Sequence, residues 1–134
     1  MVGVAIISHG ALCEGMVNSV SMVAGDMEQT EVISLKPGQS PENYQENLKS
    51  ALEALDTGMG VLVLVDLLGG TPFNTIGSLS SDYKVGIVTG MNMAAVISVA
   101  LQREENTTLR ELMELAEKSA HDGIKTLMRD VEGE

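Results

Sequence analysis

The stretch Val2–Gly3–Val4–Ala5–Ile6–Ile7–Ser8–His9–Gly10 decides the fold. The run from Val2 to Ile7 is apolar without a break, with Gly3 and Ala5 as its small members. Such a run reads as a strand buried on both faces rather than an alternating surface strand. It stops abruptly at a histidine and a glycine, and helical spacing begins at Leu12. A buried strand thus delivers one ionisable side chain to the carboxyl edge of a sheet, where ligands bind in open α/β folds. Histidine is also the side chain that changes charge most readily near neutral pH. His9 is therefore the leading functional candidate, and the rest of the chain is read for what positions it and helps it hold an anion.

Outward from that strand, Leu12, Met16, Val20 and Val23 recur at helical spacing and predict an amphipathic helix from about Gly10 to Ala24, ended near Gly25. Val32–Leu35 is a short strand closed by the turn residues Lys36, Pro37 and Gly38. Ser40–Pro41–Glu42 is a helix start, with serine as N-cap and proline at the first helical position. Tyr44, Leu48, Ala51, Leu52 and Leu55 then mark one face of that helix. Val61–Val65 is the most hydrophobic strand in the chain, and Asp66 ends it.

Leu67–Leu68–Gly69–Gly70–Thr71–Pro72–Phe73–Asn74 reads as a turn running into a helix, with Thr71 as N-cap and Pro72 as the first helical residue. A fourth strand, Val85–Val88, ends at Thr89–Gly90. The helix from about Asn92 to Gln102 is apolar almost all round, which calls for burial on more than one side, at a subunit interface or deep within the chain. Thr108 and Glu111 form a capping-box pair opening the last helix, whose face is Leu109, Leu112, Met113, Ala116 and Ala120. His121–Met128 fits helix and edge strand equally, and the acidic tail Asp130–Glu134 is expected to fray. The order β-α-β-α-β-α-β-α-α predicts a three-layer α/β/α fold around an open, mainly parallel four-stranded sheet, with an antiparallel edge strand from the C-terminus as the open option.

If the first and third strands are neighbours, His9 and Asp66 meet in one crevice. A carboxylate at the end of a buried strand wants a partner. An imidazole would serve: the carboxylate accepts a hydrogen bond from one ring N–H, fixes the tautomer and leaves the other nitrogen free as nucleophile. The competing reading has Asp66 capping its own turn, with Gly69 and Gly70 as donors. Gly69, Gly70 and Thr71 also open a helix, where free backbone N–H groups and the helix dipole attract anions. Elsewhere the residues are bland. Cys13 has no basic neighbour and reads as a packed thiol, His121 as part of a solvated face. Ser8 cannot use His9 as a base, because adjacent strand residues point to opposite faces. Metal-ligand spacing and nucleotide-binding glycine patterns are absent, so neither a metal nor a cofactor is expected.

Composition narrows the class. At 134 residues the length suits a single domain, 1–134. One Phe, two Tyr and no Trp leave an aliphatic core supplemented by nine Met. No apolar run approaches the roughly 18 residues of a membrane span. The N-terminal apolar run has no basic residue ahead of it and does not read as a signal peptide. A lone cysteine fits a reducing, cytoplasmic setting. The net charge of −11 argues against nucleic acid; it either steers a basic protein partner or maintains solubility.

Ser8–His9–Gly10 after strand one, the block Val65–Asp66–Leu67–Leu68–Gly69–Gly70–Thr71–Pro72–Phe73–Asn74, and the later Gly90–Met91–Asn92 together resemble the IIA domain of the mannose-type sugar phosphotransferase system (PTS), along nearly the whole chain. The resemblance implies that His9 takes a phosphoryl group on Nε2 from the carrier HPr while Asp66 holds Nδ1. It implies transfer onward to a IIB domain, which phosphorylates a sugar during uptake through the IIC and IID membrane proteins. It also implies a homodimer, often with a C-terminal strand exchanged between subunits, for which His121–Met128 is the candidate. Because the chain ends at residue 134, IIB would be a separate polypeptide.

Three rivals stand beside it, the weakest a non-catalytic dimeric binding module in which His9 is a polar core residue. A IIA-like subunit feeding a dihydroxyacetone kinase shares an acceptor histidine, but Leu67–Pro72 fits sugar uptake instead. A receiver domain phosphorylated on Asp66 would need an acidic pair after strand one for Mg²⁺, where Ser8 and His9 stand.

Overall fold

The computed structural model describes residues 1–130. Its elements are β1 (Gly3–His9), α1 (Leu12–Ala24), β2 (Thr30–Leu35), α2 (Pro41–Leu55), β3 (Val61–Val65), α3 (Gly70–Leu79), β4 (Val85–Val88), α4 (Met93–Gln102) and α5 (Leu109–Asp122). The four strands are parallel in the order β2-β1-β3-β4. The chain leaves β1 toward β2 in one direction and returns to β3 on the other side, so the topological switch point falls between β1 and β3. That is where an open α/β sheet forms its crevice.

Alternation along the strands divides the core into two layers. Val2, Val4, Ile6, Leu62 and Leu64 face α1, α4 and α5. Ala5, Ile7, Val61, Val63 and Val65 face α2 and α3. Burial of β1 and β3 on both sides explains their unbroken apolar runs. His9 follows the parity of Ala5 and Ile7, which places it on the α2/α3 side; Ser8 faces the other layer.

Several boundaries differ from the sequence expectation, each for a local reason. β1 extends through His9 because the ladder with β2 continues to the pair His9–Leu35, and β2 begins at Thr30. α1 begins at Leu12 rather than Gly10, since Gly10 takes a left-handed φ of +56° and forms the turn. Its buried stripe runs through Cys13 and Val20 with Met16 and Val17 beside them, while Leu12 and Val23 face outward. α3 starts at Gly70 with Gly69 as N-cap, so Thr71 is neither the cap nor its neighbour Pro72 the first helical residue. Two adjacent glycines at positive φ let the chain enter the helix earlier than a side-chain cap would.

The caps of α2 and α5 form as the sequence predicts. Ser40 Oγ accepts from the Asn43 N–H at 3.1 Å. Thr108 and Glu111 exchange both capping-box hydrogen bonds. α4 buries Ala95, Val96 and Val99 within the chain and leaves Leu101 outside. α5 takes up His121 and Asp122; residues 124–130 run on without regular structure, so the optional edge strand does not form among the described residues of this chain. Of the tail expected to fray, residues 131–134 lie outside the described residues.

Candidate functional site

The site begins where two ladders end. The Asp66 N–H donates to the Ile7 carbonyl at 3.2 Å and the Gly10 N–H to the Leu35 carbonyl at 2.8 Å. β3 thus stays in the sheet one step past its last apolar residue, Val65, and β1 two steps past Ile7. The residues at those steps are Asp66 and His9, 57 positions apart in sequence.

A single carboxylate oxygen joins them. Asp66 Oδ2 accepts from the His9 backbone N–H at 2.9 Å and lies 2.9 Å from His9 Nδ1. A carboxylate can only accept, so the proton of that second bond belongs to Nδ1 and Nε2 is left as the free ring nitrogen. The Asp66 side chain is 9% exposed and that of His9 45%. Carboxylate and imidazole therefore divide the work: one is shielded, the other presents its edge to solvent. Asp66 Oδ1 is buried and has no hydrogen-bond partner among the described residues. The carboxylate's hydrogen bonds are thus directed to His9, and the alternative reading of Asp66 as a cap for its own glycine turn is not the arrangement seen.

The start of α3 closes the site from the other side. A β-carbon added at Gly70 would meet His9 Cε1 and Nε2, both at 2.7 Å. The helix begins against the free nitrogen, and only a residue without a side chain permits that approach. Helix geometry leaves the first N–H groups without intrahelical partners. Here they belong to Gly69, Gly70 and Thr71; Pro72 has no N–H to offer. The turn predicted as an anion cradle is thus beside His9, with Gly69 in place of Thr71 as the cap.

Ser8 was set aside in the sequence as a partner for His9, and the alternation of β1 does turn the two apart. It is nonetheless fully buried. Its hydroxyl donates to the Gly10 carbonyl at 3.1 Å and accepts from the Cys13 N–H at 2.8 Å. The signal for this in the sequence is a polar residue on the strand face otherwise made by Val2, Val4 and Ile6, since buried hydroxyls find partners. Cys13 is buried, as its apolar surroundings suggest. His121 is exposed near the C-terminal end of α5 and makes no hydrogen bond or ion pair with His9. It lines a groove of about 690 Å³ along the free edge of β4, with Ile87, Thr89, Gly90, Met113 and Ile124 among its walls.

Among the described residues no group of three or more His, Cys, Asp or Glu side chains is placed to hold a metal ion. No helix there is long and apolar enough to cross a membrane.

A family model described as the PTS system fructose IIA component matches residues 3–117. The mannose-specific EIIAB component of Escherichia coli K12 is 30% identical over 127 residues, covering 94% of this chain. This chain spans only 39% of that protein's length. Among solved structures, the phosphotransferase component EIIA of Streptococcus agalactiae superposes with a TM-score of 0.86 at 29% identity, covering 94% of this chain and 97% of its own. The mannose/sorbose-specific IIA subunit of Enterococcus faecalis gives the same TM-score at 25% identity, with 97% of both chains covered.

Proposed function

Since the chain belongs to the mannose-type IIA family of the sugar phosphotransferase system, we propose that it is a phosphocarrier domain, residues 1–134, in which His9 Nε2 is the phosphoryl acceptor. The observation that carries this reading is the pair of 2.9 Å contacts from Asp66 Oδ2 to the His9 N–H and Nδ1.

In the proposed reaction the lone pair of Nε2 attacks the phosphorus of a phosphorylated carrier protein, HPr. The new P–N bond forms as the bond to the donor's leaving atom breaks, and its electron pair stays with the donor. The Nδ1 proton does not leave. The ring acquires imidazolium character, and the Asp66 carboxylate offsets that charge at close range. Phosphoryl transfer needs positioning and charge stabilisation more than covalent help from the protein. The N–H groups of Gly69, Gly70 and Thr71 supply stabilisation to the phosphoryl oxygens. The phosphoryl group then passes to a IIB domain for sugar phosphorylation coupled to uptake through IIC and IID, with the IIA domain on the cytoplasmic side. No nucleotide, metal or other cofactor enters this scheme.

A homodimer belongs to the same reading. Ile124, Leu127 and Met128 are exposed beyond α5, and the outer edge of β4 has no neighbouring strand among the described residues. An apolar tail from a second copy pairing with that edge would cover both.

The test is incubation with phosphorylated HPr followed by chemical characterisation of the product. A base-stable, acid-labile adduct that disappears in His9→Ala supports the phosphohistidine. A hydroxylamine-sensitive acyl phosphate that persists in His9→Ala would overturn it in favour of Asp66.

A further inference from the structure

His9 is gripped from three directions, and one of them comes from the opposite face of the sheet. Asp66 holds the His9 N–H, and Leu35 holds the Gly10 N–H. The Gly10 carbonyl is held by Ser8, whose hydroxyl also receives the Cys13 N–H. Gly10 is at φ +56° in the left-handed region. As a glycine it has the widest choice of backbone conformation, so it is the joint at which His9 is least restrained by its own chain. α1, which follows, has Ala11 at its N-cap position and no side-chain cap hydrogen bond from it. Ser8 therefore does the work of a cap from within the strand, and a single buried hydroxyl ties together the end of β1, the Gly10 turn and the first turn of α1.

We propose that Ser8 is a positioning residue for His9, setting the imidazole against Gly70 through the backbone of the Gly10 turn; this rests on the reading of His9 as the phosphoryl acceptor. Ser8 touches neither the ring nor the phosphoryl group. With both hydroxyl bonds in place the Gly10–Ala11 peptide has one orientation, and the Nδ1–Asp66 and Nε2–Gly70 contacts are held together. Without them the turn gains alternative conformations, and the ring spends part of its time out of line.

The experiment compares wild type, Ser8→Ala and Ser8→Thr, the last keeping the hydroxyl on a residue suited to a strand. Transfer from phosphorylated HPr is measured with ¹⁵N NMR of the His9 imidazole. Ser8→Ala is expected to lower kcat by at least about tenfold, as small misplacements of a reacting group do, with KM for HPr unchanged. Its His9 ring signals should lose the wild-type preference for a proton on Nδ1, and Ser8→Thr should restore both. Wild-type ring signals in Ser8→Ala overturn the proposal whether or not kcat or the melting temperature falls. If Ser8→Ala does not fold, Ser8→Cys, with a weaker donor and acceptor in the same space, is expected to show an intermediate shift in both readouts, and wild-type values there overturn the proposal equally. If the wild-type protein takes no phosphoryl group, the acceptor reading of His9 fails, while the ring spectra still decide whether Ser8 positions the imidazole.

Discussion

Gly70 abuts the imidazole of His9 so closely that a β-carbon at residue 70 would stand 2.7 Å from Nε2. Gly70 also has φ +80°, which L side chains rarely adopt. Space and backbone conformation therefore impose the same residue. The outcome is a helix N-terminus brought against the ring nitrogen that Asp66 leaves free.

Gly70→Ala is expected to push the ring or the helix start aside and slow phosphoryl transfer by roughly 100-fold. Circular dichroism should remain that of a folded protein. A single-turnover assay with phosphorylated HPr checks it; wild-type speed would remove the α3 turn from the phosphate site.

Asp66→Asn keeps an oxygen acceptor for the His9 N–H but removes the charge and the fixed tautomer. Transfer should fall by about 100-fold or more, the range associated with losing a positioned proton-holding group. Thermal melting should still show a cooperative fold. A variant that fails to fold would make Asp66 a structural residue first.

Tyr44 is fully buried and its hydroxyl donates to the Ile33 carbonyl at 2.7 Å. Burial is the main cause pushing this phenol above its ordinary value of 10, with the charges of Cys13 and Asp66 adding to it. The folded state therefore holds this proton where the unfolded chain releases it. Stability from this group is intact below pH 10 and declines as pH rises beyond that. Denaturant melts across the alkaline range should show the decline, and Tyr44→Phe should flatten it while costing about 1 kcal/mol at neutral pH for the lost hydrogen bond. Tyr83, raised chiefly by its hydrogen bond to Glu53, leaves a shallower slope of the same sign.

Thr108→Ala breaks one half of the capping box of α5 and should destabilise the protein by about 1 kcal/mol in urea melts. Thr108 opens α5 at the opposite end of β3 from Asp66, where its neighbour Leu109 packs beside Gly60, so the transfer rate of the folded variant should match wild type. A large loss of transfer would instead tie α5 to the site.

Much of the fold was legible because its signals are local. The apolar runs of β1 and β3 are long enough to identify buried strands, and the caps at Ser40 and Thr108 depend only on residues a few positions away. The start of α3 was misplaced for an equally physical reason. Thr71 carries the side chain that usually caps a helix, but the positive φ angles of Gly69 and Gly70 bring the helix in before it. The outward Leu12 and Val23 of α1 show a similar limit: spacing identifies an amphipathic helix, yet which neighbouring stripe is buried depends on how the helix is rotated over the sheet.

By itself the sequence determined the alternation of strands and helices, the endings of β1 and β3 in a histidine and an aspartate, and the glycine-rich turn before α3. It also placed a hydroxyl at residue 8, where the strand pattern called for an apolar side chain. Only the tertiary structure decided that these belong to one site. The order β2-β1-β3-β4 makes β1 and β3 neighbours, and the pairing of Ile7 with Val65 sets Asp66 one step beyond the ladder, within reach of His9. Strand order and register are non-local choices, made by the packing of both sheet faces at once. A shift of one residue would turn β3's side chains to the opposite faces and separate the carboxylate from the imidazole.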